Sequence, residues 1–228
     1  EMLRSLVGSE MCIRDRNYQT ILDAFPLKGE VVSVEPFGNG HINDTLRVTV
    51  KDSDGTEQIR YVLQRINHQV FQDVETLQRN IFTVTEHIRK KLEAEGDADV
   101  DRHVCTFLRT KSGERYTAYE GNYWRVMLYI PGSVTVDAVT PESARSAGRA
   151  FGDFQSRLSD IPEGTLGDTI PHFHDMAFRL QELADAIKED RVGRVQEERV
   201  KKLIKAIDDR SDEMLLQERL YEEGTLPK

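Results

Sequence analysis

What this 228-residue chain has little of narrows its chemistry first. It carries two cysteines, Cys12 and Cys105, with no Cys-x-x-Cys pair and no metal-ligand spacing, which excludes a disulfide framework and points to a reducing cytoplasm. No stretch approaches the roughly 20 apolar residues of a transmembrane helix, so no membrane partner is expected. Positive charge is short as well. The 31 basic against 40 acidic side chains leave a formal charge of −9, whereas a surface that neutralises nucleic-acid phosphates needs clustered Lys and Arg. The sequence also lacks a Gly-x-x-x-x-Gly-Lys-Ser/Thr loop and any Gly-x-Gly-x-x-Gly that opens a helix. What remains, at 38% hydrophobic and 31% charged residues, is the composition of a soluble domain long enough for a single two-lobed unit.

Against these absences one segment stands out. PFGNGHINDTLRV, residues 36–48, is a glycine-rich turn running straight into a strand, and a second strand, YVLQRIN, begins at Tyr61. Glycine tolerates positive φ and has no side chain, so Gly38, Asn39 and Gly40 can fold back over a ligand and present N–H groups to phosphate oxygens. The setting is strand, turn, strand, and Gly-Asn-Gly is equally a strong signal for a plain hairpin. Both readings stand on the residues alone.

The ordered run FGNGHINDT, YVLQRINHQVF, the acidic helix start DVETL and YWRVMLYIPGSV resembles the N-acetylhexosamine 1-kinases of the aminoglycoside phosphotransferase (choline kinase-like) superfamily, over about residues 17–228. The resemblance implies an ATP-dependent phosphotransferase acting, with Mg2+, on a small hydroxylated metabolite, most simply an N-acetylhexosamine at its anomeric hydroxyl. Homoserine, choline or an aminoglycoside are the alternative acceptors, and a non-catalytic nucleotide-binding module is the alternative of a different class. The resemblance puts a phosphate cover at Gly38, Asn39, Gly40, His41 and Asn43. It puts a phosphate anchor on the third strand at Gln64 or Arg65, with Gln64 at the usual basic position. Strand alternation lets only one of the two face the cleft, and sequence alone leaves open which. Glu75 and Glu86 are the candidate acids to orient that anchor, although Glu75 equally suits a helix N-terminus. Adenine recognition falls to Met127, Tyr129 and Ile130 ahead of Pro131-Gly132. Trp124 reads as a core anchor.

The fold expected is α+β and protein-kinase-like: an N-lobe antiparallel sheet with one inserted helix, then an incomplete helical C-lobe. A short helix over Tyr18–Phe25 ends at Pro26. Strands follow at 31–34, 46–50 and 59–66. Val74, Leu77, Ile81, Val84 and Ile88 share one helix face, and Glu95-Gly96-Asp97 stops that helix. Residues 104–110 and 115–119 predict a hairpin across Lys111-Ser112-Gly113, and 123–130 a buried strand, giving five or six strands in all. After Val139 everything reads helical, beginning with an N-cap at Thr140 and a first-turn Pro141. The last helix carries Val200, Leu203, Ile204, Ile207, Leu215 and Leu220, stripes that read as packing faces.

Three segments are therefore expected: 1–16 non-native or disordered, 17–132 a nucleotide-binding N-lobe, and 133–228 a partial helical C-lobe. Residues 1–16 show no clean period, and SLVGSEMCIRDR reads as translated adapter sequence. The family's catalytic loop, His-x-Asp with an Asn five residues later, has no counterpart in the chain: PHFHD, with His172 and His174, sets His beside Asp and lacks the Asn. The expectation is a truncated product whose catalytic base and metal ligands lie beyond Lys228.

Overall fold

The computed structural model describes residues 18–38, 40–134 and 138–226. Its contacts divide the chain at Thr169/Ile170 into two compact units.

The first unit is built on a six-stranded antiparallel sheet: β1 (Glu30–Pro36), β2 (Asp44–Lys51), β3 (Glu57–Ile66), β4 (Phe107–Leu108), β5 (Thr117–Tyr119) and β6 (Asn122–Leu128). The spatial order is β1-β2-β3-β6-β4, with β5 also on β6. Helix α1 (Tyr18–Leu22) covers one face. There Ile21, Leu22 and Phe25 close over Leu46, Val48, Val50, Tyr61, Leu63, Trp124 and Val126, the largest buried cluster. Trp124 is the core anchor expected, 2% exposed and edge-on to Tyr18.

The opposite face carries the inserted helix α2 (Val74–Ala94). Asp73 caps it by accepting the Thr76 N–H at 2.9 Å. Gly96, at φ +77°, ends it, while the Asp97 N–H returns to the Leu92 carbonyl at 3.0 Å. Val74 and Leu77 cluster with Ile66 of β3, and Phe82 packs against Phe107 of β4. The α+β class and the helix after the third strand are as the sequence predicts.

The region 104–119 differs from expectation. A short helix, α3 (Val100–His103), precedes it, and β4 and β5 do not pair with each other. Both lie along the same edge of β6, Phe107 and Leu108 opposite Met127 and Val126, then Thr117–Tyr119 opposite Trp124–Asn122. The tight hairpin is instead β5–β6, across Glu120-Gly121, both at positive φ. That is the turn geometry that matches strand twist, and a Gly in its second position makes it accessible.

Helix α4 (Pro141–Leu158) has the predicted start: Thr140 accepts the Ser143 N–H at 3.1 Å, and Ser143 closes the capping box. Its far end is held on α2, where Lys91 and the His87 ring bond the Arg157 carbonyl and Asp160. Asn80 of α2 grips Gly167 with two bonds, 2.6 Å to its carbonyl and 3.1 Å from its N–H.

The second unit comprises α5 (Met176–Glu189), α6 (Glu198–Asp208), α7 (Ser211–Met214) and α8 (Leu216–Glu222). The single last helix expected from 200 to 220 is thus three pieces. Its apolar spacing lapses between Ile207 and Leu215, where the run Asp208-Asp209-Arg210-Ser211-Asp212 offers no residue to a packing face. Among the described residues α4–α8 bury no side chain fully, and Leu203 is 56% exposed.

Candidate functional site

The glycine turn joins β1 to β2. Gly38 sits at φ +80°, a conformation only glycine takes without strain, and the Phe37 N–H bonds the Thr45 carbonyl at 2.9 Å beneath it. A side chain at Gly38 or Gly40 would meet no atom within 4 Å, so both glycines face open space. His41 is exposed. Asn39 lies outside the described residues. Asn43 ties the foot of the turn to the end of β3: its Oδ1 accepts the Asn67 N–H at 2.9 Å. The Phe37 ring meets Tyr129 edge-on at 5.8 Å, so the turn leans toward the segment that follows β6.

Pairing register decides which of Gln64 and Arg65 shares a face with α2. Leu63 and Trp124 lie in the α1-side core, and Arg65, opposite Trp124 and two residues from Leu63, points the same way. There it is held by Asp44, at 2.6 Å from Nε and 2.5 Å from Nη2, and its Nη1 donates to the side-chain Oδ1 of Asn122 at 3.1 Å. Gln64 therefore faces α2. Its Nε2 donates to Thr45 Oγ1 at 2.8 Å, and its Oε1 accepts from Nε and Nη2 of Arg125, at 2.9 and 2.5 Å, directly across the strand pair. Thr45, Gln64 and Arg125 thus form one polar row over three strands, starting two residues from the foot of the glycine turn.

Arg125 is the group the sequence reading passed over. Its guanidinium lies 5.3 Å from the centre of the Phe107 ring. Burial lowers its pKa to about 10, and no carboxylate among the described residues pairs with it. Its Nη1 is buried without a hydrogen-bond partner. A signal existed: Arg125 interrupts an otherwise apolar strand, NYWRVML, at a position whose neighbours Trp124 and Val126 are core. A second omission is Gln78 of α2, fully buried, with both amide atoms unpartnered.

The two acids considered as anchor partners are engaged elsewhere. Glu75 accepts from Arg115 at 2.9 Å, and Glu86 from Arg109 at 2.9 Å. Within β6, Met127 stands opposite Val62 and Phe107. The Tyr129 N–H donates to the Arg60 carbonyl at 2.9 Å, and Ile130 precedes Pro131, whose carbonyl accepts from Arg102 at 2.6 Å. A cavity of about 590 Å3 beside this segment is lined by Lys28, Arg60, Tyr61, Arg102, Leu128 and Tyr129, and includes neither the glycine turn nor the polar row. In the second unit, His172 pairs with Asp175 at 2.7 Å and stacks on Phe178.

The geometry is an open glycine turn with a polar row at its foot, on a sheet with a single inserted helix. Residues 33–224 match the model of the phosphotransferase enzyme family (APH), and the chain belongs to that family. Among solved structures, the chain is similar to an aminoglycoside phosphotransferase from Alicyclobacillus acidocaldarius subsp. acidocaldarius, at 15% identity and a TM-score of 0.49. That similarity covers 84% of this chain and 48% of the other, so the chain spans about half the length of that structure.

Proposed function

We propose that this chain carries the nucleotide-binding portion of an ATP-dependent small-molecule kinase, with residues 17–132 as the nucleotide-binding lobe and 133–228 as part of the helical lobe. The observation that carries the reading is the glycine turn, open above and footed on the Thr45–Gln64–Arg125 row, in a chain of the phosphotransferase family. Backbone N–H groups of Gly38 to His41 would cover the phosphates, and the polar row would lie beneath them. Adenine would sit against Met127 to Ile130, where Phe37 and Tyr129 bring the turn and the segment after β6 together. Since the Tyr129 N–H is already spent on Arg60, the base would take its donor from Ile130.

For the acceptor, the run of motifs FGNGHINDT, YVLQRIN and YWRVMLYIPGSV supports an N-acetylhexosamine phosphorylated at the anomeric hydroxyl. Transfer to a hydroxyl needs a base and neutralisation of phosphate charge. The chain contains no His-x-Asp-x-x-x-x-Asn, and its described residues bring together no group of three or more His, Cys, Asp or Glu for a metal, so they do not fit a Mg2+ site. The chain's own part is then to bind and orient the nucleotide. The reading takes a cytoplasmic setting from the cysteine usage of the sequence, and no helix among the described residues is long and apolar enough to cross a membrane.

The test is titration of the chain with ATP and adenosine, followed by an assay for sugar 1-phosphate from N-acetylglucosamine and N-acetylgalactosamine, with homoserine, choline and an aminoglycoside as competing acceptors. Weak ATP binding without phosphate transfer by the chain alone is the expected result. Absence of nucleotide binding overturns the reading, and transfer to choline or homoserine overturns the sugar.

A further inference from the structure

A guanidinium that is buried, carries no carboxylate partner and leaves one nitrogen unbonded is costly, because desolvation disfavours its charged form and each unmade hydrogen bond adds to the loss. Arg125 meets all three conditions. Its surroundings hold it in place without neutralising it. Gln64 takes two of its N–H groups through one amide oxygen, and the Phe107 ring lies under its plane. Above it runs the sheet-facing stripe of α2, where helical spacing sets Val74, Gln78 and Phe82 in line. Val74 clusters with Ile66 and Phe82 with Phe107, so Gln78 stands between these anchor points, over the strands that carry Gln64 and Arg125. Gln78 brings a second unpartnered polar group to the same layer, fully buried. Arg125 thus brings to this layer a positive charge with no carboxylate partner, and its Nη1 and both amide atoms of Gln78 are without hydrogen-bond partners.

We propose that Arg125 is the phosphate-anchoring cation of this chain: β6 supplies the charge that position 64 of β3 lacks, and Gln64 is the cross-strand arm that holds it. The proposal rests on the nucleotide-binding reading above. Three features give Arg125 this role rather than Arg65. Arg65 is already neutralised by Asp44 on the other face. The row from Thr45 through Gln64 leads from the foot of the glycine turn to Arg125. The missing partner of Arg125 is an anion, and a planar guanidinium with a free N–H edge suits a phosphate oxygen. Its unbranched stem lets the group pivot off Phe107 toward β2 when the triphosphate enters. Gln78 limits that movement from above and is a positioning residue.

The proposal is tested by calorimetric titration of the chain and three variants, Arg125→Met, Arg125→Lys and Q64K/R125M, with ATP and with adenosine, folding being checked by circular dichroism. Loss of a charge-assisted contact predicts that Arg125→Met weakens ATP binding by about 10- to 100-fold and adenosine binding by less than about twofold. Moving the cation back to β3 in Q64K/R125M should restore ATP affinity to within about fivefold of the parent. Equal ATP affinity of the parent and Arg125→Met overturns the proposal while leaving the nucleotide reading intact. If Arg125→Met does not fold, the double variant decides: selective ATP binding supports the relocated anchor, and binding of adenosine alone overturns it. A parent chain that binds neither ligand overturns the nucleotide reading itself, and the proposal with it.

Discussion

On the α1 face of the sheet, Arg65 meets the Asp44 carboxylate at 2.5 Å and the Asn122 amide at 3.1 Å. One residue back along the same strand, on the α2 face, Gln64 holds an arginine that meets no carboxylate among the described residues. Both arrangements span β2, β3 and β6, and both place a guanidinium against a neighbouring strand. The first is closed: charge and hydrogen bonds are satisfied inside the protein, as a group with a structural role requires. The second is open by one charge and one donor. The α1 side keeps one buried donor without a partner, Trp124 Nε1, but no unpaired charge, and this difference in charge underlies the proposal that the α2 face meets the ligand.

The largest effect should come from breaking the closed face. Leu63 is 0% exposed in the α1-side cluster, and Leu63→Ala should cost about 2–5 kcal/mol in a denaturant titration, through lost burial and the cavity left behind. Arg65→Met comes next. It strands Asp44, in a pair whose side chains are only about a quarter exposed, and should cost about 1–3 kcal/mol. It should also change ATP affinity less than Arg125→Met does. The reverse order would exchange the roles of the two faces.

Gly40→Val probes the open side without touching packing. A Cβ there meets nothing within 4 Å and the backbone is not in the left-handed region, so thermal stability should hold. If phosphates lie under the turn, ATP affinity should fall by about tenfold, the worth of one good contact. Unchanged affinity would remove the turn from the site.

The smallest effect belongs to a closed cluster away from the strand pair. Hydrogen bonds from Lys91, then from His87, lower the pKa of Asp160 from 3.8 to about 2. A carboxylate whose folded pKa is depressed contributes stability that is fully present above its unfolded value and disappears as pH falls through the folded one. Asp160→Asn should therefore lower the melting temperature slightly at pH 6, and the difference from the parent should shrink as pH falls below 4 and vanish only below pH 2. A difference at pH 2 as large as that at pH 6 would show that the contact of α4 with α2 does not depend on that charge.

How far the sequence discloses this contrast follows from which signals are local. The glycine turn, the α2 stripe and the Thr140-Pro141 start of α4 are legible because each depends on residues within a few positions of one another. The phase of β3 is not: YVLQRIN alternates either way, and only the pairing of Arg65 with Trp124 and of Gln64 with Arg125 fixes it. Arg125 was hidden for the same reason, since its partner is 61 residues away in sequence. The supposed 104–119 hairpin failed because a turn signal at Lys111-Ser112-Gly113 says nothing about which edge its arms will join. The α6–α8 stripe misled because its period survives in composition while the acidic run at 208–212 interrupts it.

The contrast between the two faces is tested most directly by following the side-chain Nε–Hε signals of Arg65 and Arg125 by NMR during titration with ATP and, separately, with adenosine. A phosphate anchor at Arg125 predicts that its signal moves with ATP and stays with adenosine, while that of Arg65, held by Asp44, moves with neither. A shift at Arg65 with Arg125 unmoved would contradict the account.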